Sequence, residues 1–236
     1  MAPDIRRVSA RRALDWYAEA MRLWKRAPAT LCALAFLALA SEFLLQLVPE
    51  AGMLASKVFA PIVACGLFVA TDAVARGGRA RISDVLRPFA ASAPAIAAIV
   101  FSNLLVFAAE AGAAWAIADV DLLRNPDGGM TQGDVLLMFA VGMLVSLPLT
   151  LVPLCALFDG KGFVAAFDAS IAAFRENVAA FVLYGLLSYA LLVLGLLTLG
   201  LGLLIVLPLW ATSSYVAWRD LVQTSAPPPP TLVEPH

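Results

Sequence analysis

The sequence predicts an all-α polytopic membrane protein, with six transmembrane helices and three shorter amphipathic interfacial helices on the cytoplasmic side. Three observations carry this reading. Of 236 residues, 62% are hydrophobic and 14% charged, against about 25% charged in an ordinary soluble domain. The apolar residues come in runs of roughly twenty, the length that crosses about 30 Å of hydrocarbon as a helix. The basic residues collect in every second connection between those runs. A mean hydropathy of +0.88 fits the same picture.

The first run covers 29–48 and is interrupted by Glu42. The second, 53–75, carries Lys57 near its start, and the third, 93–118, contains Glu110. The fourth, 135–158, holds Pro148 and Pro153. The fifth and sixth, 178–199 and 201–221, are separated only around Gly195, Gly200 and Gly202. So long an apolar stretch must fold back, and these glycines are its flexible point. Residues 1–222 thus read as one membrane domain. Residues 223–236, with Pro227 to Pro230, read as an extended, disordered tail at the inner surface.

Orientation follows from the basic residues. With the N-terminus in the cytoplasm, seven precede the first span, and Arg76, Arg79, Arg81 and Arg87 fall between the second and third. Lys161 and Arg175 fall between the fourth and fifth, and Arg219 closes the sixth. Fourteen of the sixteen are then inside, leaving Lys57 and Arg124. The outer loop is instead acidic, with Asp119, Asp121, Asp127 and Asp134. Arg6, Arg7, Arg11 and Arg12 are not followed directly by an apolar stretch, so the start does not read as a cleaved signal peptide.

An amphipathic segment precedes each outward span. Leu14, Tyr17, Ala18, Met21 and Trp24 share a helical face opposite Arg11, Asp15, Arg22 and Arg26. Ile82, Val85, Leu86 and Phe89 repeat the spacing, with Ser83 or Asp84 placed to cap the start. Phe163, Phe167, Ile171, Phe174 and Val178 form the third stripe, away from Asp168, Arg175 and Glu176. Each is expected at the inner interface, apolar face toward acyl chains. Two explanations stay open. The chain is three copies of one unit, as an overlay of Trp24-Lys-Arg-Ala-Pro28 on Phe174-Arg-Glu-Asn-Val178 suggests, or inward connections simply favour such helices.

Two stretches carry a resemblance. Ala13-Leu-Asp-Trp16 through Leu23-Trp-Lys-Arg-Ala-Pro28, and Gly202-Leu-Leu-Ile-Val-Leu-Pro208 through Tyr215-Val-Ala-Trp-Arg-Asp-Leu221, resemble the YciC-like family of uncharacterised bacterial inner-membrane proteins and its relatives. The rest matches only as alternating spans and short basic loops. The resemblance implies six helices in a bacterial inner (cytoplasmic) membrane with both termini cytoplasmic. It implies no reaction and no catalytic residues.

The residues point the same way. HExxH, GxSxG and a complete GxxxxGK[ST] do not occur, and Gly160-Lys-Gly162 lacks the earlier glycine of a phosphate loop. Asp72 is a lone aspartate within a span, where carboxylate proteases pair two, and it reads as an i,i+4 partner of Arg76. Cys32, Cys65 and Cys155 are isolated in apolar runs and read as small apolar fillers. His236 is the single histidine. No enzyme activity, cofactor or metal is expected. With a net charge of −1 there is no basic excess for nucleic acid. The expected partners are membrane lipids, another membrane protein or a second copy, for which Gly142 and Ser146 offer a small-xxx-small seat.

The candidate site is the intramembrane polar cluster Glu42, Gln46, Lys57 and Glu110. A charge at this depth costs a few kcal/mol unless paired or hydrated. At about 1.5 Å per residue the three charges lie roughly 6–12 Å below the outer boundary, with Gln46 one turn above Glu42. Three readings stay open: a site for an ion, lipid headgroup or small solute; a structural pair of Lys57 with either glutamate; and snorkelling to the interface. Ser102 and Asn103 are placed for interhelical hydrogen bonds. Pro148, Pro153 and Pro208 remove backbone hydrogen bonds, with Ser146 and Thr150 placed to compensate. The function expected first is a non-enzymatic accessory or structural membrane protein. The alternative is a small transporter or lipid-handling protein that uses the intramembrane charges.

Overall fold

A computed structural model describes residues 5–48, 51–124 and 128–222, and their regular structure is entirely helical. The proline-rich tail lies outside the described residues. Five helical segments are long and apolar enough to cross a membrane: Pro28–Gln46, Gly52–Ala75, Ala93–Ala118, Gln132–Phe158 and Val178–Leu197. The six runs read from the sequence therefore reduce to five by this measure. The remaining one is set apart by its polar residues, discussed below.

The chain opens with α1 (Arg12–Trp24), then α2 (Pro28–Gln46). The next span is divided at Cys65 into α3 (Gly52–Ala64) and α4 (Gly66–Ala75), with Pro61 inside α3. A 3₁₀ segment, Ile82–Ala90, leads to α5 (Ala93–Ala118). The fourth span comprises α6 (Gln132–Ser146), a 3₁₀ turn at Leu147–Leu149, and α7 (Val152–Phe158). Then follow α8 (Phe163–Glu176), α9 (Val178–Leu197) and α10 (Leu203–Leu221). The long helices form a closed ring in which α2 meets α3, α3 meets α5, α5 meets α6, α6 meets α9, α9 meets α10 and α10 returns to α2. Outward from the ring, Phe36, Phe43, Trp115, Leu144, Leu186 and Leu194 are each more than half exposed. Such a surface suits acyl chains and not water.

The amphipathic segments pack on the bundle through a face other than the stripe expected to meet acyl chains. In α1 the buried residues are Ala13, Trp16, Ala20 and Leu23, while Leu14 of the expected stripe is 50% exposed. In α8 they are Ala166, Ala169, Ser170 and Ala173, with Phe163, Phe167 and Phe174 only partly buried. Small residues let helices approach closely, so α1 seats its alanine face on α9 and α10, and α8 seats its own on α5 and α7. Trp16 fills the α1 seam against Phe181 and Tyr184, while Phe163, Phe167 and Phe174 flank the α8 seam. The middle segment is 3₁₀ and not α-helical. Pro88 lies inside it, and Asp84 accepts the Arg81 N–H at 2.8 Å. A Cβ at Gly66 would meet the Val85 backbone, so the glycine is what lets this segment press against α4.

Ser170 repairs the proline break in the fourth span. It donates to the Pro148 carbonyl at 2.7 Å and accepts the Leu151 N–H at 3.1 Å, although it belongs to α8. Ser146 and Thr150 bond instead to the Met143 and Ser146 carbonyls.

α10 carries Thr212, Ser213, Ser214, Tyr215, Arg219 and Asp220, which lower its hydropathy. Yet it is the most enclosed helix, with twelve of nineteen residues buried, so its polar groups face protein and not lipid. Thr212 meets Thr71, and Tyr184 meets Ser214 at 2.8 Å. Tyr215 donates to Asp72 at 2.8 Å, and Trp218 to Asp159 at 3.4 Å. Asp220 accepts from Arg6 (2.8 Å), Arg12 (2.7 Å) and the buried Trp16 indole (2.9 Å). The Arg6 N–H also bonds the Leu221 carbonyl, and Asn177 clamps the same segment through the Val8 N–H and Arg6 carbonyl. The stretches Ala13–Pro28 and Gly202–Leu221 thus meet each other at this hub.

Candidate functional site

The four residues of the expected cluster separate into a pair with its supports, and one residue apart. Glu42 on α2 and Lys57 on α3 form an ion pair at 2.5 Å. The helices lie side by side, so two charges entering from opposite directions meet at one depth. Gln46, one turn from Glu42, donates to it at 3.3 Å and to Ser56 at 3.4 Å. Asn103 of α5 donates to the Lys57 carbonyl at 3.0 Å, and the Lys57 ammonium lies 5.2 Å from the centre of the Phe107 ring. Lys57 is therefore engaged by a carboxylate and an aromatic face together. This pair ties α2, α3 and α5 to one another.

Glu110 does not join it. Among the described residues it has no hydrogen-bond or ion-pair partner, and Lys57 and Glu42 act on it electrostatically with opposite sign. Its side chain lies across Gly142 of α6, where a Cβ would overlap the carboxylate. Gly142 is thus the space that lets a long acidic side chain sit between α5 and α6.

The same carboxylate lines an open-sided cavity of about 430 Å³ bordered by the helices of the ring. This lies in the range of small-molecule sites. On α5 its wall runs from Ile99 to Glu110, which at about 1.5 Å per residue is roughly 16 Å along the bundle. Glu110 is the one acidic side chain in that wall. The rest is apolar or aromatic, with the Asn103 carboxamide, the Cys65 thiol and hydroxyls of Ser102, Ser146, Thr150, Tyr184 and Ser214. No family model, curated protein or solved structure matches this chain. The geometry of the chamber therefore carries the functional reading by itself.

Sequence reasoning placed Glu110, Ser102, Asn103, Ser146 and Thr150 within spans but did not gather them into a chamber. Tyr184, Trp210 and Ser214 were not singled out at all. No local spacing connects them to Glu110, since they come from α9 and α10 and meet only when the ring closes. Pro61 and Pro153, which also line the wall, do mark it in sequence, because broken spans are where a bundle departs from close packing. Cys65 lines the chamber as a free thiol, and Cys155 is buried beside α8. Among the described residues no group of His, Cys, Asp and Glu is arranged to hold a metal ion.

The slimmest seam of the ring is between α6 and α9. Tyr189 bridges it by donating to the Leu136 carbonyl at 2.8 Å. Further along, Gly185 accommodates the Leu147 side chain.

Proposed function

We propose that this chain is a non-enzymatic integral membrane protein that holds a small amphiphilic molecule in the chamber at the centre of its helix ring. Of the two functions expected from sequence, this is the lipid-handling or transport reading. The observation that carries it is an unpartnered carboxylate in the wall of an otherwise apolar intramembrane chamber. A carboxylate left unpaired at such depth is costly, and a purely structural bundle gains nothing from it. The Glu42–Lys57 pair belongs to the scaffold in this reading.

The proposal includes six spans in a bacterial inner membrane, with α10 as the sixth and both termini cytoplasmic. The gathering of Arg6, Arg12, Arg76, Lys161 and Arg219 around the Tyr215–Asp220 end of α10 supports that direction. It also includes α1 and α8 as cytoplasmic-side interfacial helices.

Native mass spectrometry on protein extracted gently from its own membrane tests the function. A defined co-purifying molecule is expected, lost when Val106→Phe or Ser146→Leu fills the chamber. Loosely held bulk lipid alone, unchanged by both variants, would return the chain to an accessory or structural role.

A further inference from the structure

The chamber is asymmetric in charge, and that asymmetry specifies what fits it. Glu110 stands at its outward end, two turns beyond Ser102 and Asn103, and no other carboxylate and no lysine, arginine or histidine lines the wall. The nearest cation, Lys57, is held by Glu42 and packed over Phe107, so it is not available to neutralise Glu110. Phe68, Phe139, Tyr184 and Trp210 add aromatic rings to the lining. The opposite end offers hydroxyls only, Tyr184 with Ser214, and Ser146 with Thr150. Between the ends the wall is apolar over most of its roughly 16 Å.

We infer that the ligand is an elongated amphiphile bearing a positive charge, seated with its cationic group against Glu110 and its apolar body along the chamber toward Tyr184. The inference rests on the reading of the chamber as a ligand site. Three features select the class. A carboxylate in a low-dielectric wall favours a cation over a neutral group, and repels a carboxylate or phosphate. The apolar lining requires a ligand with an apolar body. The elongated form excludes a compact hydrated ion, for which the wall supplies one charged ligand and no ring of carbonyls.

Decylamine, decanol and decanoate share a chain length and differ in charge, so they separate these elements. The full chain is placed in phosphatidylcholine nanodiscs, and occupancy by each probe is read by native mass spectrometry and by competition. Decylamine is expected to outcompete decanol by roughly tenfold or more, the value of a charge-assisted hydrogen bond, and decanoate to bind weakest. Glu110→Gln should abolish the preference for the amine while decanol occupancy persists. Glu110→Asp, which keeps the charge, should retain the preference and so guards against simple misfolding of the neutral variant. Equal binding of all three probes, sensitive to Val106→Phe but not to Glu110→Gln, would overturn the cationic class and leave the chamber reading intact. Binding of none, or binding indifferent to Val106→Phe, would overturn the chamber reading itself.

Discussion

Replacing Asp220 by asparagine removes the charge at the point where the N-terminal segment, α1 and α10 converge. Its side chain is 7% exposed and accepts from Arg6, Arg12 and Trp16. A hydrogen bond to a charged group contributes about 1.5–3 kcal/mol when buried. Arg6 is half exposed, so its share is no more than about 1 kcal/mol. Arg12 is 36% exposed and is likewise discounted for solvent screening. Asparagine also keeps one oxygen that can still accept from Trp16. The expected loss is therefore about 2–3 kcal/mol, well under the 3–5 typical of a fully buried broken pair. For a chain of this size that lowers the melting temperature by roughly 5–10 °C. The assay is thermal unfolding followed by intrinsic tryptophan fluorescence, since Trp16 and Trp218 both sit at the hub. Release of the segment should also speed tryptic cleavage after Arg6, Arg7, Arg11 and Arg12. A variant that melts within about 1 °C of the parent, and resists trypsin equally, would refute the view that this carboxylate anchors the two ends of the chain.

Ser170→Ala leaves the Pro148 carbonyl and the Leu151 N–H without their bridge, and is expected to cost about 1–3 kcal/mol in denaturant unfolding; a change below 0.5 kcal/mol, roughly the size of a neutral surface substitution, would remove that role. Glu42→Lys and Lys57→Glu singly should each reduce the yield of folded protein, and the double exchange should restore it; a double variant no better than the singles would show that the pair is not the link between α2 and α3. Tyr189→Phe removes the hydrogen bond across the α6–α9 seam, and should raise the dissociation rate of a chamber ligand by severalfold with little change in melting temperature; unchanged release kinetics would place the entry route elsewhere.

The helices of this fold were legible from composition and run length, because a bilayer demands long apolar segments wherever they cross. The pairing of Lys57 with Glu42 was within reach as well, since depth can be counted along two helices joined by a short connection. Which face α1 and α8 bury was not. Periodicity marks the large residues, but these helices pack through Ala13 and Ala20 in one case, and Ala166, Ala169 and Ala173 in the other. In a setting where lipid is as apolar as leucine, close approach through small residues shapes the buried face, with Trp16 and Leu23 set among the alanines of α1. The chamber was illegible for a different reason. Its wall draws on eight α-helices, and the decisive relation of Glu110 to Gly142 is a steric allowance that no motif records. Ser170 is a similar case: a serine on one helix completes the backbone of another, and only the break at Pro148 hinted that a partner was needed.

The polar residues of α10 connect the scaffold to the chamber. A helix facing lipid on most sides could not carry Thr212, Ser213, Ser214 and Tyr215 together, because each hydroxyl would want a partner the bilayer does not supply. Enclosed by α1, α2, α4, α7 and α9, the same residues have partners throughout. At the inward end these partners are charged or hydrogen-bonded side chains from both ends of the chain, and they fix the helix in place. Further outward, Ser214 with Tyr184, and then Ala211, Trp210 and Leu207, turn to the chamber. The wall that meets a ligand is thus continuous with the most firmly tied element of the fold. By contrast α6, beyond α9 in the ring, ends just before Pro148, is hydrogen-bonded to α9 among the described residues through Tyr189, and lies beside Glu110. Motion that admits a ligand is therefore expected at α6, with α10 as the fixed wall against which it moves.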